Sequence, residues 1–306
     1  MADEQQTPEK DDSQARAIGE RFHKTLDSQG YSFQFAAIEK LQECFGHNGL
    51  WELHVSEFPV VAGKFDARID FVLYARTMGF YLACECKRAN PRMKHWCFVQ
   101  APFVRRNAVA EHLMVDRIEL WYAEASATNP RGGVVSCAKL NAIDNVYHLG
   151  FEEKDGKEKG DPHGGGGRNA IEDAAFQACK GANGLLTVLR GLQRQVNPRY
   201  ETDKEHYFVM PTIFTTANLW ACDTNLSAAD LSTGEIPADA RQQIRKVDWL
   251  FYQYPLSPAV KHDLDEAPGD TDELGKILDN RFRRTIGVVG PDGIEEYLQL
   301  LSSYIQ

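Results

Sequence analysis

Two short runs constrain this chain more than anything else in it: ARIDFVLY at residues 67–74 and FYLACEC at 80–86. Both alternate with the period of two that marks a strand. Met78-Gly79 lies between them, where a turn is expected. Folding the runs into a hairpin brings Asp70 close to Glu85. Lys87 follows Glu85 by two residues and so shares its strand face. Charged groups set into strands that otherwise read as buried are costly unless paired. A hard divalent cation offsets that cost, and Mg²⁺ is usually held by one or two carboxylates together with phosphate oxygens.

The arrangement resembles the PD-(D/E)XK nuclease superfamily in Asp70 and in the run Glu85-Cys86-Lys87 at the end of the following strand. Ile69 stands where the motif has proline. The resemblance implies an α/β fold, a mixed central sheet flanked by helices with a restriction-endonuclease-like core. It implies metal-dependent hydrolysis of phosphodiester bonds, of DNA more than RNA and by endonucleolytic more than exonucleolytic cutting. Asp70 and Glu85, with the backbone carbonyl of Cys86, would ligate Mg²⁺ or Mn²⁺. Lys87 would orient the attacking water or stabilise charge on the phosphate. The family also places an acid on the helix before the hairpin. Glu39 matches by position and spacing, with Glu20 and then Glu43 as alternatives. On the helix after the core strands, Gln177 matches the position that faces the metal, and Lys180 follows one turn later. The superfamily is common in bacterial defence and repair, and its members often act as homodimers or within larger complexes.

Charge supports a polyanionic partner only locally. The formal net charge is −10, unlike that of a general nucleic-acid coat protein. From Glu85 to Arg106, however, six basic residues (Lys87, Arg88, Arg92, Lys94, Arg105 and Arg106) meet a single acid. A phosphate backbone would be attracted there, although a solvated basic loop has the same composition. Trp96 and Phe98 lie in this segment and could stack on bases or serve as packing. Cys84, Cys86, His95 and Cys97 could be read as a zinc set, but Cys84 and Cys86 fall on the strand face opposite Glu85 and Lys87. The seven cysteines do not form a disulfide framework in a chain of this size. No apolar stretch is long enough to span a membrane, and residues 1–20 do not resemble a signal peptide, so a cytoplasmic protein is expected.

Periodicity predicts a single domain over 15–306 behind a disordered acidic tail at 1–14. Helices are expected at 15–28 and 32–46, the second with Phe35, Ile38, Leu41 and Phe45 on its apolar side. Strands are expected at 51–60, 67–74 and 80–87. An insertion at about 91–168 follows, with a helix at 107–126, a strand at 144–151 and a charged, glycine-rich loop beyond it. A long helix at 169–192, a strand at 206–219, a helix at 236–247 and a strand at 247–254 come next. A helix at 272–284, a strand at 285–289 and a helix at 291–304 close the chain. Two other functions fit the same residues: a non-catalytic nucleic-acid- or partner-binding module that keeps the fold, and a scaffold subunit of a defence complex.

Overall fold

The computed structural model describes residues 9–48, 50–63, 65–75, 77, 79–101, 112–120, 133–141, 145–153, 169–192, 205–241, 244–256 and 283–305. Helices α1 (Glu9–Gln29) and α2 (Tyr31–Asn48) precede a meander of β1 (Trp51–Ala62), β2 (Phe65–Ala75) and β3 (Phe80–Lys87). Then come β4 (His95–Val99), β5 (His112–Leu120), β6 (Gly133–Asn141), β7 (Val146–Tyr147) and β8 (Leu149–Glu153). After them follow α3 (Ala170–Leu192), β9 (Glu205–Thr215), β10 (Asn218–Cys222), β11 (Ile244–Val247), β12 (Trp249–Pro255), β13 (Arg283–Val289) and α4 (Ile294–Ile305).

The fold is mixed α/β, with a large mixed sheet flanked by helices. Its strand order is β1-β2-β3-β9-β13-β12-β7, and β5 and β6 branch from β9. The meander β1-β2-β3 is antiparallel, and β9 then joins β3 in parallel. A parallel neighbour requires a crossover, and α3 lies in that connection. The branching has a local cause. Residues 205–209 of β9 pair with β5, and residues 212–214 pair with β13. Pro211 lies between the two stretches and has no N–H to donate.

Apolar residues on alternate positions divide the sheet into two faces. Phe71, Leu73, Leu82 and Cys84 pack on one side with Ile38 and Leu41 of α2 and with Tyr297, Leu298 and Leu301 of α4. Fully burying a leucine such as Leu41 contributes about 1.5–3 kcal/mol. Val72, Tyr81 and Ala83 pack on the other side with Ala182, Leu185 and Leu186 of α3; Ile69 joins them although it is two residues from Phe71, so the alternation of β2 shifts at Asp70. Small residues bring α3 close: a side chain at Gly184 would collide with Val60, and one at Gly181 would crowd Ile69. On the opposite face the Tyr297 ring occupies the space over Gly287, and its hydroxyl hydrogen-bonds Thr212 at 3.0 Å.

A second sheet, β11-β10-β4-β8, packs onto the N-terminal half of α3. Trp96 and Phe98 of β4 are fully buried there, against Ile171, Ala174 and the main-sheet strands. They form core rather than a base-stacking surface. Their aromatic bulk fills the space left by the alanines of α3.

Several expected elements differ. Residues 9–14 belong to α1 rather than to a tail, and an acidic composition suits a helix N-terminus. The helix expected at 107–126 is strand β5 over its described part, because pairing with β6 and β9 outweighs its helical pattern. At 236–247 there is one 3₁₀ turn, Ala238–Ala240, and then β11. The strand expected at 206–219 breaks at Thr216-Ala217 and continues as β10 in the second sheet. Phe35 is exposed, and the buried side of α2 is Gln34, Ala37, Ile38 and Leu41. Met78, Arg105, Arg106 and most of the glycine-rich loop lie outside the described residues, as does the helix at 272–284 up to Arg283.

Candidate active site

The site forms where pairing in the meander ends. The β2–β3 ladder stops at Phe71↔Cys84, so Asp70 and Glu85 are the first residues past it on facing strands. On the other edge of β2, Phe58↔Ile69 and Ser56↔Phe71 are partnered, while Glu57 and Asp70 between them are not. Glu57 has φ 52°, a left-handed conformation that costs a residue with a side chain about 1–2 kcal/mol. Asp70 thus lies where the regular pairing of β2 is interrupted, and its backbone carbonyl accepts a hydrogen bond from the side-chain amide of Gln34 at 2.9 Å.

The carboxylate reaches across the end of the β2–β3 ladder. Asp70 Oδ2 accepts a hydrogen bond from the backbone N–H of Cys86 at 2.7 Å. Within a strand the N–H and C=O of one residue share an edge, so the Cys86 carbonyl is directed to the same edge as Asp70. Glu85 and Lys87 share the face of Tyr81 and Ala83, the α3 side, and Lys87 Nζ pairs with Glu85 Oε1 at 3.1 Å. β9 holds Lys87 in place: Glu85 to Lys87 pair with Ile213 to Thr215, and the Thr216 N–H donates to the Lys87 carbonyl at 3.2 Å.

The electrostatics are those of an acidic excess. Burial, and then the neighbouring Asp70, push the Glu85 carboxyl up to about 7, against the opposing pull of Lys87. Asp70 is raised as well, by burial first, although its hydrogen bond from the Cys86 N–H opposes the shift. Glu57 adds a third negative charge and is paired with Arg68 at 2.9 Å.

The other residues expected at the site are distributed as follows. Glu39, Glu20 and Glu43 are exposed on their helices. Glu20 pairs with Arg16, and Glu43 with Lys40. The α2 side chain that reaches Asp70 is Gln34. Gln177 is exposed on α3, beside Ala178, which shares a core cluster with Ala89 just beyond Lys87. Among the described residues no hydrogen bond joins Gln177 to Asp70 or Glu85. Lys180 donates to the backbone carbonyl of Asp66. Arg88 is tied to the end of α1 through the Asp27 carbonyl at 2.6 Å, and Arg92 is exposed. Lys94 is half-buried where its carbonyl accepts from Asn218.

Sequence reasoning missed Gln34 and Glu57. Gln34 carried a readable signal, being a polar residue on the buried stripe of α2. Glu57 carried none, since an acid in a strand ordinarily points to solvent.

The donor set suits a small hard cation: two carboxylates whose ionisation the fold penalises, beside a backbone carbonyl edge. Among the described residues no three His, Cys, Asp or Glu side chains come together as a metal-binding group. Cys97 packs with Val99 and Cys222 on the second sheet, away from Cys84 in the main core. Among those residues, too, no helix is long and apolar enough to cross a membrane. The chain matches no known family model, no curated protein and no solved structure.

Proposed function

We propose that this protein is a metal-dependent nuclease of the restriction-endonuclease-like class, acting in the cytoplasm on phosphodiester bonds, of DNA more than of RNA. The observation that carries the reading is the convergence of Asp70, Glu85 and Lys87 where the β2–β3 ladder ends, with Asp70 locked to the Cys86 N–H at 2.7 Å. The succession of elements supports it: a helix before the hairpin, the hairpin itself, and a small-residue helix packed close over the following strands.

Asp70, Glu85 and the Cys86 carbonyl would hold Mg²⁺ or Mn²⁺. The ion would supply polarisation of the scissile phosphate and a lower pKa for attacking water. Lys87 stands beside Glu85 with its ammonium at the same edge. There it can donate to a phosphate oxygen or orient the water, and stabilise the charge that develops in the transition state. The exposed Arg88 and Arg92 carry positive charge away from the edge, where a phosphate backbone would pass. Cutting two strands takes two sites, which favours a homodimer or a larger complex.

The test is cleavage of supercoiled plasmid, linear duplex, single-stranded DNA and RNA, each with Mg²⁺, Mn²⁺ or EDTA and beside Lys87→Ala. Metal-dependent cutting of DNA that the variant loses is the expected result. A folded protein that cuts none of the four would shift the reading to a binding module with the same fold.

A further inference from the structure

Asp70 is held by side chains from two other elements where the pairing of β2 is interrupted. Gln34 is 4 % exposed, on the sheet-facing side of α2. Its side-chain nitrogen donates to two acceptors, the Asp70 carbonyl at 2.9 Å and Glu57 Oε1 at 2.6 Å. A primary amide nitrogen has two hydrogens, so this use is complete. Glu57 is held from the other side by Arg68 at 2.9 Å, and Arg68 also hydrogen-bonds Tyr31 at the start of α2. The two residues joined by Gln34 are the two that face each other without pairing in the β1–β2 ladder. Glu57 there holds φ 52°, a conformation that glycine would adopt more easily.

We propose that Gln34 and Glu57 are the positioning pair of this site, a clamp from α2 and β1 that holds Asp70 where the pairing of β2 is interrupted and aims its carboxylate at the Cys86 edge. Gln34 anchors the Asp70 carbonyl from α2. The strained Glu57 supplies the fixed acceptor that orients the amide. Both residues act through Asp70 and neither has to touch substrate. The proposal rests on the nuclease reading only for its consequence in catalysis, because the clamp itself can be tested without metal.

Gln34→Met is the discriminating variant, since it keeps the volume and the buried packing and removes both donors. In the full-length protein in EDTA, hydrogen exchange at the Cys86 amide should speed up at least tenfold, with a melting temperature within a few degrees of the wild type. In Mn²⁺ titrations affinity should fall about ten- to a hundredfold, the usual cost of removing an outer-shell partner of a metal ligand. kcat on plasmid should fall similarly, and KM should stay unchanged. Glu57→Gln keeps an oxygen acceptor for the amide and should stay within about threefold of wild type on each readout. Unchanged Cys86 exchange in Gln34→Met overturns the clamp. Should that variant not fold, Glu57→Ala at the half-buried end gives the same readout, and unchanged exchange there is equally fatal. If the wild type binds no Mn²⁺ and cuts nothing, the nuclease reading falls, and the Cys86 amide alone still decides the clamp.

Discussion

Asp116 on β5 and Arg284 on β13 are both fully buried, and Arg284 meets Asp116 Oδ1 through Nε at 2.8 Å and Nη2 at 2.7 Å. They join the two strands that share β9, and the Met114 N–H donating to Thr285 Oγ1 at 2.8 Å closes the same seam. Asp70, Glu85 and Lys87 lie in the same sheet but are built the other way. There the ladder stops, the acids outnumber the lysine, and the carboxyls resist ionisation. The first set is balanced and enclosed, which is what a structural ion pair needs. The second is left in acidic excess where the ladder ends, which suits a cation brought from outside. Charged residues in strands therefore do not by themselves mark a site. The balance of charge and the state of the backbone ladder separate the two cases.

Removing one cation from each set separates the two cases. Arg284→Met should destabilise the fold by about 3–5 kcal/mol, because Asp116 is left buried without its partner. Combining it with Asp116→Leu should recover most of the loss, and denaturant unfolding measures both. Lys87→Ala should leave the denaturation midpoint nearly unchanged and lower cleavage by about 10²–10³-fold. A Lys87 variant that unfolds as readily as the Arg284 variant would make both sets structural.

pH sharpens the contrast. The fold raises Glu85 from an ordinary value of 4.5 to about 7. Below 4.5 the carboxyl is protonated in both folded and unfolded chains and costs nothing. As pH climbs from 4.5 to 7, the unfolded chain ionises first and the fold loses up to about 3 kcal/mol. In EDTA the wild type should therefore lose more stability between pH 5 and pH 8 than Glu85→Gln does. Equal slopes in thermal melts of the two proteins would show that the carboxyl is not penalised. The smallest effect is expected at Glu39, which is exposed on α2. Glu39→Gln should change stability by less than about 0.5 kcal/mol and leave Mn²⁺ affinity and cleavage within about twofold. A large loss there would return the role of helix acid to Glu39.

Much of the frame around the candidate site was legible. The alternation in 67–74 and 80–86 placed β2 and β3, and with them the approach of Asp70 to Glu85 and the shared face of Glu85 and Lys87. The alanines and glycines of 169–192 foretold a helix lying close on the sheet. The helix residue behind Asp70 was missed because an acid was sought there: the acids considered on α1 and α2 are solvent-facing, and the inward polar residue is the glutamine Gln34. β5 was mistaken for a helix because its local pattern does not reveal partners about 20 and 90 residues away. For Trp96 and Phe98 the sequence left base stacking and packing both open, and the full burial of both rings decides for packing.

The period-two strands, the acidic and basic residues they carry, and the small-residue face of α3 follow from side-chain chemistry at fixed local spacing. Where the ladders end, which side chain anchors Asp70 and which charged strand residues are balanced follow from the folded chain. Those depend on groups brought together from distant parts of the chain: Gln34 from α2, Glu57 from β1, and Cys86 from β3. Backbone hydrogen bonds must be satisfied by whichever donor the fold delivers, and local sequence does not name that donor.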